Sequence, residues 1–182
     1  MLGLGIGAPV VALAIWGIIL YNRFVRRRNQ VLEAWSGIDV HLKWRHSLIP
    51  NLVDAVKAYA GYEERLLTRL TELRSAQQPK TVSERGAAES ALSQTIRGLV
   101  AVAEAYPNLK ASESFLELQR AIAEVEEQIQ YARRYYNGTV RELNVLVESF
   151  PSNLIAQLFH FRPAEYFEIE LATQREPPEL KL

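Results

Sequence analysis

No cysteine occurs in the 182-residue chain, which excludes disulfides, thiolate metal ligands and cysteine nucleophiles. Histidine is scarce at three residues, and breakers are few, with nine glycines and eight prolines. Net charge is also missing: 21 basic residues face 21 acidic ones, so general nucleic-acid binding has no electrostatic footprint. What the chain does have is apolar residues, 48% of the total, enough to build a core. A chain of this length holds one domain, or one domain and an anchor.

Charge is absent in another sense between Leu2 and Leu20, where LGLGIGAPVVALAIWGIIL carries none. As a helix rising 1.5 Å per residue this run spans roughly the 30 Å hydrocarbon core of a bilayer. Trp16 and Tyr21 are residues suited to the interface, and Arg23, Arg26, Arg27 and Arg28 follow at once. Ala12-Leu13-Ala14 resembles a signal cleavage site, but a signal carries its positive charge before the apolar run and here it follows. A retained single-pass anchor is expected, with the amino terminus outside and the remainder cytoplasmic. The four arginines mark topology and suit contact with anionic lipid headgroups, worth about 1 kcal/mol per basic residue near the surface.

Beyond the arginines, Val31, Trp35, Ile38, Leu42, Arg45, Ile49, Leu52, Val56, Tyr59, Glu63, Leu66, Leu70 and Leu73 alternate spacings of four and three. Such a heptad seam predicts a long helix of a bundle or coiled coil, about 65 Å in extent. Residues 76–83 are expected as a turn, with Ser83 and Glu84 opening a second helix whose stripe is Ala88, Leu92, Ile96, Leu99, Val102 and Tyr106. Pro107 ends it. A third helix is expected from Lys110 to Phe150, with the seam Phe115, Leu118, Ile122, Val125, Ile129, Ala132 and Tyr136. There the phase slips, continuing as Val140, Leu143, Val147 and Phe150, and Gly138 at the slip predicts local unwinding. Ser152 is placed as the cap of a short last helix running to Phe159. The expected fold is all-α: an anchor at 1–22, a basic juxtamembrane segment at 23–30, an up-and-down helical bundle at 31–169 and a loose tail at 170–182.

The stretch HLKWRHSLIPNLV, residues 41–53, has the residue types of an active site. On a helix, however, His41 and His46 point about 140° apart, so they do not share a metal ion. Neither Glu-x-x-His nor HExxH occurs, and no nucleophile is spaced against a base. No catalytic residue, metal or cofactor is assigned. Asp39, Lys43 and His46 line an outer face with Leu32, Pro50, Val53, Ala60 and Leu67, and that half-apolar second face suits a partner or another copy. His41 and His46 are expected to be solvated or partner-facing. Pro50 removes a helical hydrogen bond to the His46 carbonyl, so either the helix bends there or two helices abut. Arg45 lies on the seam and must find a carboxylate, for which Glu117, Glu126 and Glu127 are candidates.

The run RNQVLEAWSGIDVHLKWRHSLIPNLVDAVKAYAGYE resembles the signature of the LemA family, and AEAYPNLKASESFLELQRAIAEVEEQIQYARRYYNGTVRELNVLVESFPSNLIAQLFHF is similar to that family's second half. With the anchor and the later EYFE, the resemblance covers nearly the whole chain in order. It implies one amino-terminal membrane helix followed by a helical bundle, and it brings no catalytic residue. Departures are local: His41, Trp44, Ser47 and Ala58 stand where the family pattern has Gln, Arg, Asp and Gly. Two functions are compatible with these features. One is a non-enzymatic membrane scaffold that self-associates and organises lipid or protein partners. The other is a regulatory subunit of a membrane enzyme such as a metallopeptidase, docked through Arg45, Pro50 and the polar face.

Overall fold

The structure, a computed structural model, describes residues 2–59, 68, 70–72, 81–103 and 105–167. All regular elements among them are helices: α1 (Leu2–Tyr59), α2 (Val82–Ala103), α3 (Pro107–Lys110), α4 (Glu113–Glu148) and α5 (Ser152–Leu158). The fold is all-α. The chain divides into two compact units, one of Met1–Val40 with Gln130–Tyr166 and one of His41–Ile129 with Phe167–Leu182, so α1 and α4 each contribute to both.

In the first unit α1 and α4 run antiparallel, since Arg27 pairs with Glu142 while Trp35 meets Tyr136 with ring centroids 5.5 Å apart. Leu20, Phe24, Val31, Ala34 and Ile38 of α1 are buried, as are Tyr136, Val140, Leu143 and Leu146 of α4. Helix α4 passes unbroken through Gly138, so the expected unwinding does not occur. A helix of 3.6 residues per turn drifts against a 3.5 repeat, and a single step of four, Tyr136 to Val140, absorbs the slip. The seam was expected to reach Phe150, but α4 stops at Glu148 and Phe150 is 79% exposed. Leu146 takes the last buried position instead.

An irregular strap follows α5. Asn144 fixes it by donating from Nδ2 to the Ala164 carbonyl at 3.0 Å and accepting the Ala164 N–H at 2.8 Å. The Tyr136 hydroxyl donates to the Glu165 carbonyl at 2.9 Å. Burial, and then the nearby Glu165 carboxylate, push the Tyr136 pKa up. Phe161 stacks on Phe24 at 4.7 Å. Ser152, expected as a cap, is the first residue of α5, and its hydroxyl lies 2.7 Å and 2.9 Å from the Leu146 and Ser149 carbonyls. These carbonyls lie at the end of α4, where helical acceptors lack partners.

In the second unit the core gathers Ile49, Leu52, Val53 and Val56 of α1, Leu92, Ile96, Leu99 and Ala103 of α2, Leu109 of α3, Phe115 and Ile122 of α4, and Leu70. Helix α1 continues through Pro50, which rules out two abutting helices there. Helix α2 starts one step earlier than Ser83 suggests. Thr81 Oγ1 accepts the Glu84 N–H at 3.1 Å while the Glu84 carboxylate accepts the Thr81 N–H at 3.2 Å, a reciprocal capping box. Pro107 opens α3 at a position where its missing N–H costs nothing. The seam side chains at Tyr59, Glu63, Leu66 and Leu73, and the tail at 170–182, lie outside the described residues.

Candidate functional site

The most concentrated polar chemistry lies inside the second unit. Arg45, 1% exposed, reaches from α1 to both neighbouring helices. Its guanidinium pairs with the Glu89 carboxylate of α2, donates to Glu126 Oε1 of α4 at 2.8 Å, and donates to Ser93 Oγ. A further bond, at 3.3 Å, goes to the Glu89 carbonyl. Ser93 closes the ring by donating to the Glu126 carboxylate at 3.1 Å. The second oxygen of Glu89 lies 3.3 Å from Nε2 of His46.

Burial pushes the Glu89 carboxyl up, but the close approach of His46 and the Arg45 guanidinium together outweigh it and hold the pKa below the ordinary carboxylate value. A buried charge is tolerable only when paired and hydrogen-bonded, and this cluster supplies both. It contains no nucleophile held against a base in an open cleft. Its chemistry is that of a structural lock tying three helices together.

Of the carboxylates proposed from sequence for Arg45, Glu126 is a partner, whereas Glu117 and Glu127 are exposed. Glu89 was missed. The available signal was Glu89 and Ser93, one turn apart beside the Leu92–Ile96 stripe. His46, expected to be solvated or partner-facing, is half-buried against Glu89, because it follows Arg45 directly and the two share one carboxylate. Val53, assigned to an outward face, is buried in the core. Arg45 touches both α2 and α4, and a helix with two neighbours buries a wider stripe than a two-helix seam. On the remainder of that face Leu32 and Lys43 are exposed, Asp39 and Pro50 are half-buried, and Ala60 and Leu67 lie outside the described residues. His41 is half-buried.

In the first unit Arg23, Arg26 and Arg28 are exposed, whereas Arg27 is partly covered and bound to Glu142 and to Gln30 Oε1 at 2.8 Å. A cleft of about 370 Å³ beside them is lined by Arg23, Arg27, Arg141, Glu142, Ser149 and Ser152 among others. Arg141 is a basic residue there that the sequence did not single out.

His160, the third histidine, has φ of 58° and follows α5. With the Phe161 N–H bonded to the Ala156 carbonyl at 2.9 Å and the His160 N–H to the Gln157 carbonyl at 3.4 Å, it forms a Schellman ending. Its position is explained by helix termination.

Among the described residues, one helix is long and apolar enough to cross a membrane, and only 11% of its most apolar window is buried against the chain. These features define an all-α bundle with an exposed apolar stretch near its amino terminus and a buried ionic lock. The chain belongs to the LemA family, whose sequence profile matches residues 34–182. It is 28% identical to Protein LemA of Metamycoplasma hominis over 138 residues, 75% of this chain and 63% of that protein. It thus spans less than two thirds of that relative. It is also similar to Magnetosome protein MamQ 2 of Paramagnetospirillum magneticum, 23% identical over 87% of this chain and 68% of the relative. Magnetosome protein MamQ of Magnetospirillum gryphiswaldense is 20% identical, covering 82% and 65%. Neither the family nor these relatives carry the name of an enzyme.

Proposed function

We propose that the protein is a non-enzymatic, single-pass membrane scaffold whose bundle lies in the cytoplasm and self-associates at the membrane to organise lipid or protein partners. The observation that carries this reading is the bare apolar surface of α1. Val10, Val11, Leu13, Ile15, Ile18 and Ile19 are each more than half exposed, and a bilayer covers such a surface without any protein partner. The arginines directly after it favour the cytoplasmic orientation and contact with anionic headgroups, with Arg23 and Arg141 on the cleft. Self-association is supported by α1 residues further along, where Leu32 and Val40 are exposed by 61% and 60%. Chains held in one membrane meet at raised effective concentration and in parallel.

The test is the oligomeric state of the full-length chain in native-like bilayers, compared with Leu32→Asp and Val40→Asp. Assembly that weakens in both variants, at unchanged helix content, is the expected result. A monomer at physiological density, or an oligomer indifferent to both changes, removes the scaffold reading. Exposure of a carboxy-terminal tag to protease on intact cells removes the orientation.

A further inference from the structure

The turn after α4 and the whole of α5 form a second apolar surface, separate in sequence from the amino-terminal run. From Ser149 to Phe161 the sequence SFPSNLIAQLFHF has no Asp, Glu, Lys or Arg, and it is bracketed by Glu148 and Arg162. Its large side chains are turned outward: Phe150 is 79% exposed, Leu158 67%, Leu154 54% and Phe159 50%. In water this is an expensive way to end a helical hairpin. Its place along α1 gives the reason.

Three contacts fix the level of this tip within the first unit. A methyl placed on Gly17 would stand 4.0 Å from Ile155 Cδ1. Tyr21 meets Phe159 edge-on at 4.9 Å, and Phe24 stacks on Phe161 at 4.7 Å. The order 155, 159, 161 therefore tracks 17, 21, 24, and α5 lies beside the last turn of the uncharged run. The other arm agrees. Arg27 pairs with Glu142, and seven residues of helix, about 10 Å, separate Arg27 from Leu20 and Glu142 from Ser149. Because α1 and α4 are antiparallel here, the turn after α4 comes level with Leu20.

We infer that this hairpin tip is seated in the bilayer beside the α1 anchor, with Phe150, Leu154, Leu158 and Phe159 in the boundary between headgroups and acyl chains. The inference rests on the anchor reading of α1 given above. Continuity with the exposed Ile15, Ile18 and Ile19 makes lipid the occupant of this face. Aromatic rings flanking an apolar surface are the usual residents of that boundary. Several backbone N–H groups of the tip are paired internally, as a low dielectric requires. The N–H groups of Ser149, Asn153, Leu154, Phe159 and Phe161 are bonded within the hairpin, and the Ser152 hydroxyl meets the Leu146 and Ser149 carbonyls. The membrane contact is thus made by two discontinuous segments, and it sets the tilt and rotation of the anchor as well as its depth.

The absence of native cysteine gives a clean experiment on the full-length chain. Single substitutions Phe150→Cys and Leu154→Cys carry a spin label, with Leu13→Cys as anchor reference and Tyr135→Cys as an exposed reference on α4. Each is reconstituted in vesicles of phosphatidylcholine and phosphatidylglycerol, and the collision rates with oxygen and with a water-soluble nickel chelate are compared. Labels at 150 and 154 are expected to show an oxygen-to-nickel ratio several-fold above that at 135, approaching that at 13. A lipid-like ratio at 13 with a water-like ratio at 150 and 154 overturns the seated tip and leaves the anchor standing. Protection from both reagents at 150 and 154 also overturns it, since protein then covers the face. A water-like ratio at 13 removes the anchor and the tip together.

Discussion

Glu89 divides its carboxylate between two residues adjacent in sequence: one oxygen pairs with the Arg45 guanidinium and the other lies 3.3 Å from His46 Nε2. With Arg45 1% exposed and the Glu89 side chain 9%, this is a buried ionic contact, and its members depend on one another. Removing one partner strands a charge, whereas replacing both by apolar groups need not cost stability.

Arg45→Met is therefore expected to lower unfolding stability by about 3–5 kcal/mol. The double change Arg45→Met with Glu89→Leu should recover part of that loss. Urea unfolding of wild type, both single variants and the double variant checks the coupling. Additive losses would contradict it.

Glu89 also predicts the acid limb of stability. Its folded pKa lies below its ordinary value, so the native state binds this proton less readily than the unfolded chain. The contribution is complete above the unfolded pKa, about 4.3, and is lost as pH falls through the lowered folded value. Glu89→Gln should flatten the fall of stability with acid below that range. Denaturation midpoints measured across the acid range decide the matter.

Thr81 caps α2 through its hydroxyl, so Thr81→Ala should destabilise by about 1 kcal/mol, and Thr81→Ser by little. Thermal melts are sufficient. A loss equal in both variants would mean that the hydroxyl is not the stabilising group.

Asn144 bonds both polar groups of Ala164, so Asn144→Ala should release the strap and cost about 1–3 kcal/mol locally. Hydrogen exchange should quicken at Ala164 while the amides of α4 stay protected. Uniform deprotection would point to global unfolding instead.

The helical class and the inner seam were legible because amphipathic period is a local property. Val31, Ile38, Leu42, Ile49, Leu52 and Val56 fall on one stripe whatever packs against it, and all are buried. A charge on that stripe has to be neutralised, so the demand made by Arg45 was visible too. The owner of the answering charge was not, because Glu89 lies 44 residues away on a helix whose rotation the sequence leaves open. Val53 shows the same limit: only the number of neighbours around α1 turned an apparent outer residue into core. Phe150 shows the reverse, since α4 ends at Glu148 and the chain turns before the seam position is reached. Periodicity along the chain thus determined which residues seek cover. The tertiary arrangement decided what covers them, because burial depends on neighbours brought in from distant sequence, and at α5 the packing against Gly17 and Tyr21 aligned an uncharged hairpin with the apolar run of α1.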